Sequence, residues 1–296
     1  MLVLKILGII FPVFAVAVAG LLYGRVRRPQ MGFANQMNME VFLPALIFWA
    51  LVDKPLAFAE FRDLSIGAVA VVLGSGLLLL PLLPLLKVDY RTFLPPMMFN
   101  NSGNMGLPLA LFAFGEQALQ AAVVLFLIEM VLHLTVGIYM IDHHTHPGRL
   151  LRMPLILATL LGLACSLAGW QPPGWLMEPI KMMSQIAIPL MLFALGVRLN
   201  DVSLRDWRIG LAGAVLCPLS GVAVVLLLRP FLDLTPLQAA LLLVFGALPP
   251  AVTNYLIAEQ YRQEPERVAS VVMLGNLGSL LAIPMALYFA LPGLGG

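Results

Sequence analysis

Asn100, Asn101, Ser102 and Asn104 stand together in the run Phe99-Asn100-Asn101-Ser102-Gly103-Asn104-Met105-Gly106-Leu107-Pro108, inside an otherwise apolar stretch. A second interruption, Gly246-Ala247-Leu248-Pro249-Pro250-Ala251-Val252-Thr253-Asn254, lies in the corresponding part of the second half. Lipid offers no hydrogen-bond partners, so amides and hydroxyls at bilayer depth line a cavity or meet other protein groups. Both runs read as helices broken inside a membrane. At such a break the following half-helix presents free N–H groups and a positive dipole end, a site for a small anionic or polar solute. Pro108, and Pro249 or Pro250, suit the first turn of each second half-helix, since proline lacks an N–H that is orphaned there anyway. Gly103 permits departure from helical geometry and close approach of a ligand. The side chains of Asn100, Asn101, Ser102, Asn104, Thr253 and Asn254 are expected to orient the solute. Two breaks at equivalent positions point to a secondary transporter.

A second set of polar groups lies nearby. Phe126-Leu127-Ile128-Glu129-Met130-Val131-Leu132-His133 places a carboxylate and an imidazole four residues apart, on one helix face deep within an apolar run. The pair suits either proton coupling or a structural contact. Glu259, Gln260 and Asn276 offer oxygens that could hold a coupling sodium ion, and equally suit interfacial or packing roles. Glu40 and Gln185 are weaker candidates facing the substrate. The tract His143-His144-Thr145-His146 lacks the ligand spacing of a closed metal site, and no metal or other cofactor is expected. Cys165 and Cys217 read as small core residues. No nucleophile with its base and no phosphate-cradling loop appears, so an enzyme is not expected.

The elements that must position these groups follow from composition. Of 296 residues 61% are hydrophobic and 11% charged, where soluble domains carry roughly 25%. The chain is expected to be an all-α integral membrane protein embedded in a lipid bilayer; its net charge of +2 is too small to imply nucleic acid. The N-terminus resembles a signal peptide, but its positive cluster follows the apolar run, which marks a retained first helix. Further spans are expected over Met37–Val52, Leu64–Leu86, Phe93–Phe114, Ala118–Ile141, Pro154–Trp170, Met182–Val197, Trp207–Leu228, Pro236–Gln260 and Val268–Leu291, with spans 4 and 9 broken.

One nearly constant offset sets Pro44 opposite Pro189, Phe48 opposite Phe193, Ser75-Gly76 opposite Ser220-Gly221 and Phe99 opposite Phe245. It implies two five-helix repeats, residues 1–146 and 147–296. An odd number of spans inverts the second repeat, so broken helices 4 and 9 are expected to cross near the midplane. The connectors after odd-numbered spans hold twelve of the 17 lysines and arginines, which places them in the cytoplasm and both termini outside.

The run Pro44-Ala45-Leu46-Ile47-Phe48, the Asn101–Pro108 segment and Pro249-Pro250-Ala251-Val252-Thr253-Asn254-Tyr255 together resemble the bacterial branch of the auxin efflux carrier family, across essentially the whole chain. The resemblance implies a scaffold domain (spans 1, 2, 6 and 7), a transport domain (spans 3–5 and 8–10) and elevator-type alternating access. It further implies pairing of two copies through scaffold helices, and a carboxylate substrate such as malate, malonate or an auxin-like acid. Asn100-Asn101-Ser102-Gly103-Asn104 replaces the plant Asn-Pro-Asn-Thr-Tyr run, and the long plant loop between the halves is missing, which favours a smaller acid over auxin. A sodium-coupled symporter of another organic solute, and a membrane sensor that binds without transporting, are the alternatives.

Overall fold

The computed structural model describes residues 2–53, 58–143, 152–201 and 206–291. These are almost entirely helical, with no strand longer than a single bridge among them. Among the described residues, six helices are long and apolar enough to cross a membrane: Leu2–Arg27, Ala59–Leu86, Glu116–Ile141, Gly174–Arg198, Trp207–Phe231 and Pro265–Ala290. Their outward faces carry large apolar side chains such as Leu4, Phe11, Leu85, Phe231 and Leu281, which is the surface a bilayer selects. The remaining apolar segments are shorter or interrupted, and the two interrupted ones are those with polar runs at their centres.

The chain divides into two compact units, one drawn from residues 11–60 and 146–200, the other from 1–10, 61–145 and 201–296. In the first unit, α1 (Leu2–Arg27) from Phe11 onward joins α2 (Gly32–Met37), α3 (Leu43–Val52), α10 (Pro154–Leu167) and α11 (Gly174–Arg198). Here α3 packs on both α10 and α11. Phe48, Val52 and Cys165 form one buried cluster, with Ala158, Met177 and Ile180 around it. Small residues let backbones approach: a Cβ on Gly196 would overlap the carbonyl of Ala17, and one on Gly20 the carbonyl of Phe193. A π-helical turn, Asn38–Phe42, links α2 to α3.

The second unit holds α4 (Phe58–Leu79), α5 (Leu83–Leu86), α6 (Tyr90–Met98), α7 (Leu107–Phe114), α8 (Leu119–Leu132), α9 (Ile138–Ile141), α12 (Trp207–Leu228), α13 (Pro236–Gly246), α14 (Thr253–Gln260) and α15 (Pro265–Ala290). Its spine is the packing of α12 on α15. Gly210 lies against the backbone of Ser270, Gly213 against Val271 and Gly278 against Ala214. Such small-residue contacts bring helices close where lipid supplies no hydrophobic drive. Both cysteines are buried.

One expectation needs correction. The seventh apolar helix starts at Gly174, eight residues before Met182, because Pro179 is tolerated inside it and Glu178 and Lys181 sit on helix, not in a connector. Lys181 lies over the ring of Trp49 at 5.7 Å. The halves' connector, including His144, His146 and the 146/147 boundary, lies outside the described residues, as do Lys54, Arg149 and Arg205.

The start of α13 is secured by a capping box. Gln238 N–H donates to Thr235 Oγ1 (3.2 Å) and Thr235 N–H to Gln238 Oε1 (3.1 Å). Thr235→Ala is expected to lower stability by about 1 kcal/mol, read as a modest drop in the thermal midpoint of the detergent-solubilised protein.

Candidate functional site

Both breaks lie in the second unit, and they are knitted together by backbone. Helix α6 starts on Asp89, whose side chain accepts from the Arg91 N–H, and ends at Phe99 in extended geometry. Helix α13 ends at Gly246, and Ala247 to Val252 form the connector to α14. Asn100 and Pro250 pair as an antiparallel bridge: Asn101 N–H donates to Pro249 O (2.7 Å), and Ala251 N–H to Phe99 O (2.9 Å). Two extended stretches therefore satisfy each other where no helix can.

The asparagines extend this seam in a nearly reciprocal way. Asn100 Nδ2 donates to Phe245 O across the crossing (2.7 Å), and Asn254 Nδ2 donates back to Phe99 O (2.9 Å) and to Ala251 O (3.0 Å). Asn101 Nδ2 donates to Asn276 Oδ1 (2.9 Å), while Asn276 Nδ2 serves Pro250 O (3.0 Å) and Val272 O (2.8 Å). Asn254 and Asn276 thus have both amide hydrogens committed to carbonyls. Cys217 Sγ faces Leu248 O at 3.5 Å and Pro96 O at 3.7 Å, touching both broken segments.

The prolines take different places from those expected. Pro249 and Pro250 precede α14 instead of opening it; having no N–H to lose, they contribute carbonyls that Asn101 and Asn276 use. Pro108 does stand in the first turn of α7, but the helical path begins earlier, in the π-helical turn Ser102–Gly106. There Met105 and Gly106 N–H groups both donate to Asn101 O (3.1 and 3.0 Å). The N–H groups of Ser102, Gly103 and Asn104 precede the first intrahelical acceptors, so they are the donors this half-helix presents. Gly103 sits against the Phe126 ring and Gly106 against Leu248.

Behind that turn stands the carboxylate. Ser102 Oγ donates to Glu129 Oε2 (2.9 Å), and His133 Nδ1 lies 3.3 Å from Glu129 Oε1. The second approach lacks hydrogen-bond alignment, which leaves Oε1 buried without a donor. The imidazole stacks on Phe99 with centroids 4.3 Å apart and planes 3° from parallel, joining the pair to the break itself. His133 opens another π-helical turn, His133–Gly137, and Gly137 leaves room for both rings. π-Helical turns concentrate at functional positions. A cavity of about 20 Å³ lies beside Ser102, walled by apolar groups including Leu125 and Phe245. It has room for about one water molecule.

The structure thus brings Asn100, Asn101, Ser102, Glu129, His133, Pro249, Pro250, Asn254 and Asn276 into one buried region. Gly103 and Asn104 are half-buried at its edge, and Thr253 is exposed. Glu259 and Gln260 are exposed at the far end of α14, where Glu259 accepts from Tyr255 O–H (3.2 Å), so they do not join the crossing. Phe99, Cys217 and Gly137 were not foreseen. Only the repeat, which sets Phe99 opposite Phe245, carried any signal for them.

The described residues are thus helical, apolar on their outward faces, and hold two interrupted helices paired at a polar crossing. Residues 143–287 match the family model described as "Membrane transport protein". A Rhizobium meliloti (strain 1021) protein named "Putative malonate transporter" is 28% identical over 315 residues, spanning 98% of this chain and 97% of its own length. An uncharacterized transporter of Methanocaldococcus jannaschii is 20% identical over 289 residues, spanning 89% of this chain and 91% of that one. These similarities are in keeping with the resemblance to the auxin efflux carrier family.

Proposed function

We propose that the protein is a secondary active transporter of a small organic anion, a dicarboxylate such as malonate or malate, working by elevator-type alternating access in a bacterial inner membrane. The single observation that carries this reading is the crossing of two broken helices at buried Asn100 and Pro250. Similarity to a relative whose name states malonate supports the substrate class. The anion's carboxylate meets the N–H groups of Ser102, Gly103 and Asn104 and the Asn104 side chain, at the positive end of the half-helix. Asn100, Asn101, Asn254 and Asn276 position that end, because their amide hydrogens are directed to protein acceptors across the seam.

The division into two compact units supports a moving transport domain and a fixed scaffold, with ten spans in two inverted repeats and both termini periplasmic. The six long helices, two broken ones and two shorter apolar segments fit that count.

Reconstituted protein is expected to take up radiolabelled malonate saturably, against a control of empty vesicles. Asn104→Ala is expected to raise the half-saturation concentration about tenfold while leaving the protein monodisperse, the loss of one charge-assisted hydrogen bond. Vesicles showing no saturable uptake of malonate, malate or related acids would rule out the carboxylate reading. Malonate that stabilises the purified protein but never crosses the membrane would indicate a sensor instead.

A further inference from the structure

We propose that Glu129 and His133 form a one-proton site whose occupancy is linked to anion binding at the first break. The proposal rests on the reading of the crossing as the transport site.

Glu129 and His133 are each only 4% exposed, in the middle of the apolar helix Glu116–Ile141. Burial of a lone carboxylate at this depth is costly, and nothing compensates it except Ser102 and the imidazole. Titratable groups on the surrounding elements are remote. Helices α7 and α13 and the turn Ser102–Gly106 have none, and the turn Glu116–Ala118 has only Glu116, exposed at the other end of α8. On α9, Tyr139 is exposed, and on α6, Tyr90 and Arg91 lie at the start, eight or more residues from Phe99. Among the described residues, no cation other than His133 is therefore placed to balance Glu129.

With one proton between them the pair is neutral overall, whichever partner holds it. Without that proton it bears a full negative charge directly behind Ser102, the residue that opens the half-helix. The bare carboxylate then takes the place of an anion at the positive helix end, held there by the Ser102 hydroxyl. A substrate carboxylate approaching the same end meets like charge, and at low dielectric this repulsion is strong. Protonating the pair removes the internal anion and leaves the N–H groups of Ser102, Gly103 and Asn104 to the incoming one. Anion and proton bind cooperatively, and by linkage each raises the other's affinity.

A sodium ion fits the same place less well. Both carboxylate oxygens face polar hydrogen-bonding groups, Ser102 Oγ and His133 Nδ1, and His133 is pinned by stacking on Phe99. A hard cation wants six or so oxygens, and here it would sit against a ring nitrogen.

The sign is as follows. A proton taken up with the anion means that the apparent Kd for malonate rises about tenfold per pH unit above the midpoint of the pair and is flat below it. Glu129→Gln keeps an acceptor for Ser102 and removes the charge, so its malonate affinity is expected to be independent of pH.

Two readouts test this on the full chain in nanodiscs. In ¹⁵N-histidine-labelled protein without ligand, the pH response of the His133 ring nitrogens is expected to change in Glu129→Gln, the mark of a proton shared by the pair. Malonate binding is then followed calorimetrically across pH in buffers of different ionisation enthalpy. Uptake of about one proton per malonate, absent in Glu129→Gln, supports the linkage. The proposal is overturned if the His133 response is unmoved by Glu129→Gln, or if the variant shows the same pH slope as the parent. A His133 response coupled to Glu129 in a protein that binds no malonate would keep the proton site and sink the carboxylate reading.

Discussion

Asn254→Leu is expected to abolish malonate uptake in proteoliposomes, and Asn254→Asp to do the same, although neither is predicted to touch substrate. Both hydrogens of the Asn254 amide are spent on carbonyls, those of Phe99 and Ala251. Its Oδ1 is buried without a donor, and an acceptor cannot hold a carboxylate. Leucine takes one of two donors from each carbonyl, since Phe99 O keeps Ala251 N–H and Ala251 O keeps the backbone N–H of residue 254, and loses about 1 kcal/mol for each bond. Aspartate is close to isosteric but turns acceptors toward acceptors, so it separates loss of the donors from loss of shape. The Phe99 carbonyl also accepts from Ala251 N–H, and its ring carries the stack on His133. Loss of its side-chain donor loosens the start of the half-helix at Ser102. Uptake falling more than about tenfold in both variants, with unchanged size-exclusion profiles, is the expected result. Normal uptake by the aspartate variant would show that the seam does not depend on donation from residue 254. Asn100→Leu, removing the bond to Phe245 O, is expected to behave alike because that amide also ties one break to a carbonyl of the other.

The breaks were legible because polar and ring-closed residues are rare in apolar spans and stood out against them. Burial of Asn100, Asn101, Ser102 and Asn254 follows from the same chemistry that made them conspicuous. What the chain could not show is which partner each group chooses. An asparagine carries two donors and an acceptor, and sequence does not say whether these meet a solute or the other break; the structure commits Asn254 and Asn276 to carbonyls. Spacing on one helix was readable, so Glu129 and His133 were paired correctly on a face. Their connection to Ser102, across 27 residues, depends on how α8 lies against the turn and left no periodic trace. Glu259 and Gln260 looked equivalent to Asn276 as oxygen donors. They sit one helical stretch past the break, where α14 reaches an exposed end and Tyr255 is near enough to pair. The start of the seventh helix was missed for a related reason: Glu178, Pro179 and Lys181 resemble a connector in composition, but a long helix that leaves the bilayer can carry them.

Gly221→Leu is expected to be the most damaging substitution in the second unit, while Gly76→Ala, at the equivalent place in the repeat, is expected to be mild. A Cβ on Gly221 would overlap the carbonyl and Cα of Gly246, the last residue of α13 before its break. Backbone cannot turn aside as a side chain can, and the facing Gly246 is also short of room, with Gly221 backbone atoms 2.9 Å from where its own Cβ would stand. Relief requires α12 and α13 to separate at the point from which Phe245 O accepts from Asn100. Overpacking commonly costs about 1–3 kcal/mol, and a clash with backbone belongs at or above the upper end. At Gly76 the nearest atoms are Sδ and Cγ of Met98, 2.5 and 2.9 Å away, and an unbranched thioether can change rotamer. Even Gly221→Ala is therefore expected to lower the thermal midpoint markedly and reduce uptake, with Gly221→Leu failing to yield monodisperse protein. Gly76→Ala should retain both. Equal tolerance at the two positions would mean that the α12 to α13 contact gives way freely, and that the crossing is held by its hydrogen bonds alone.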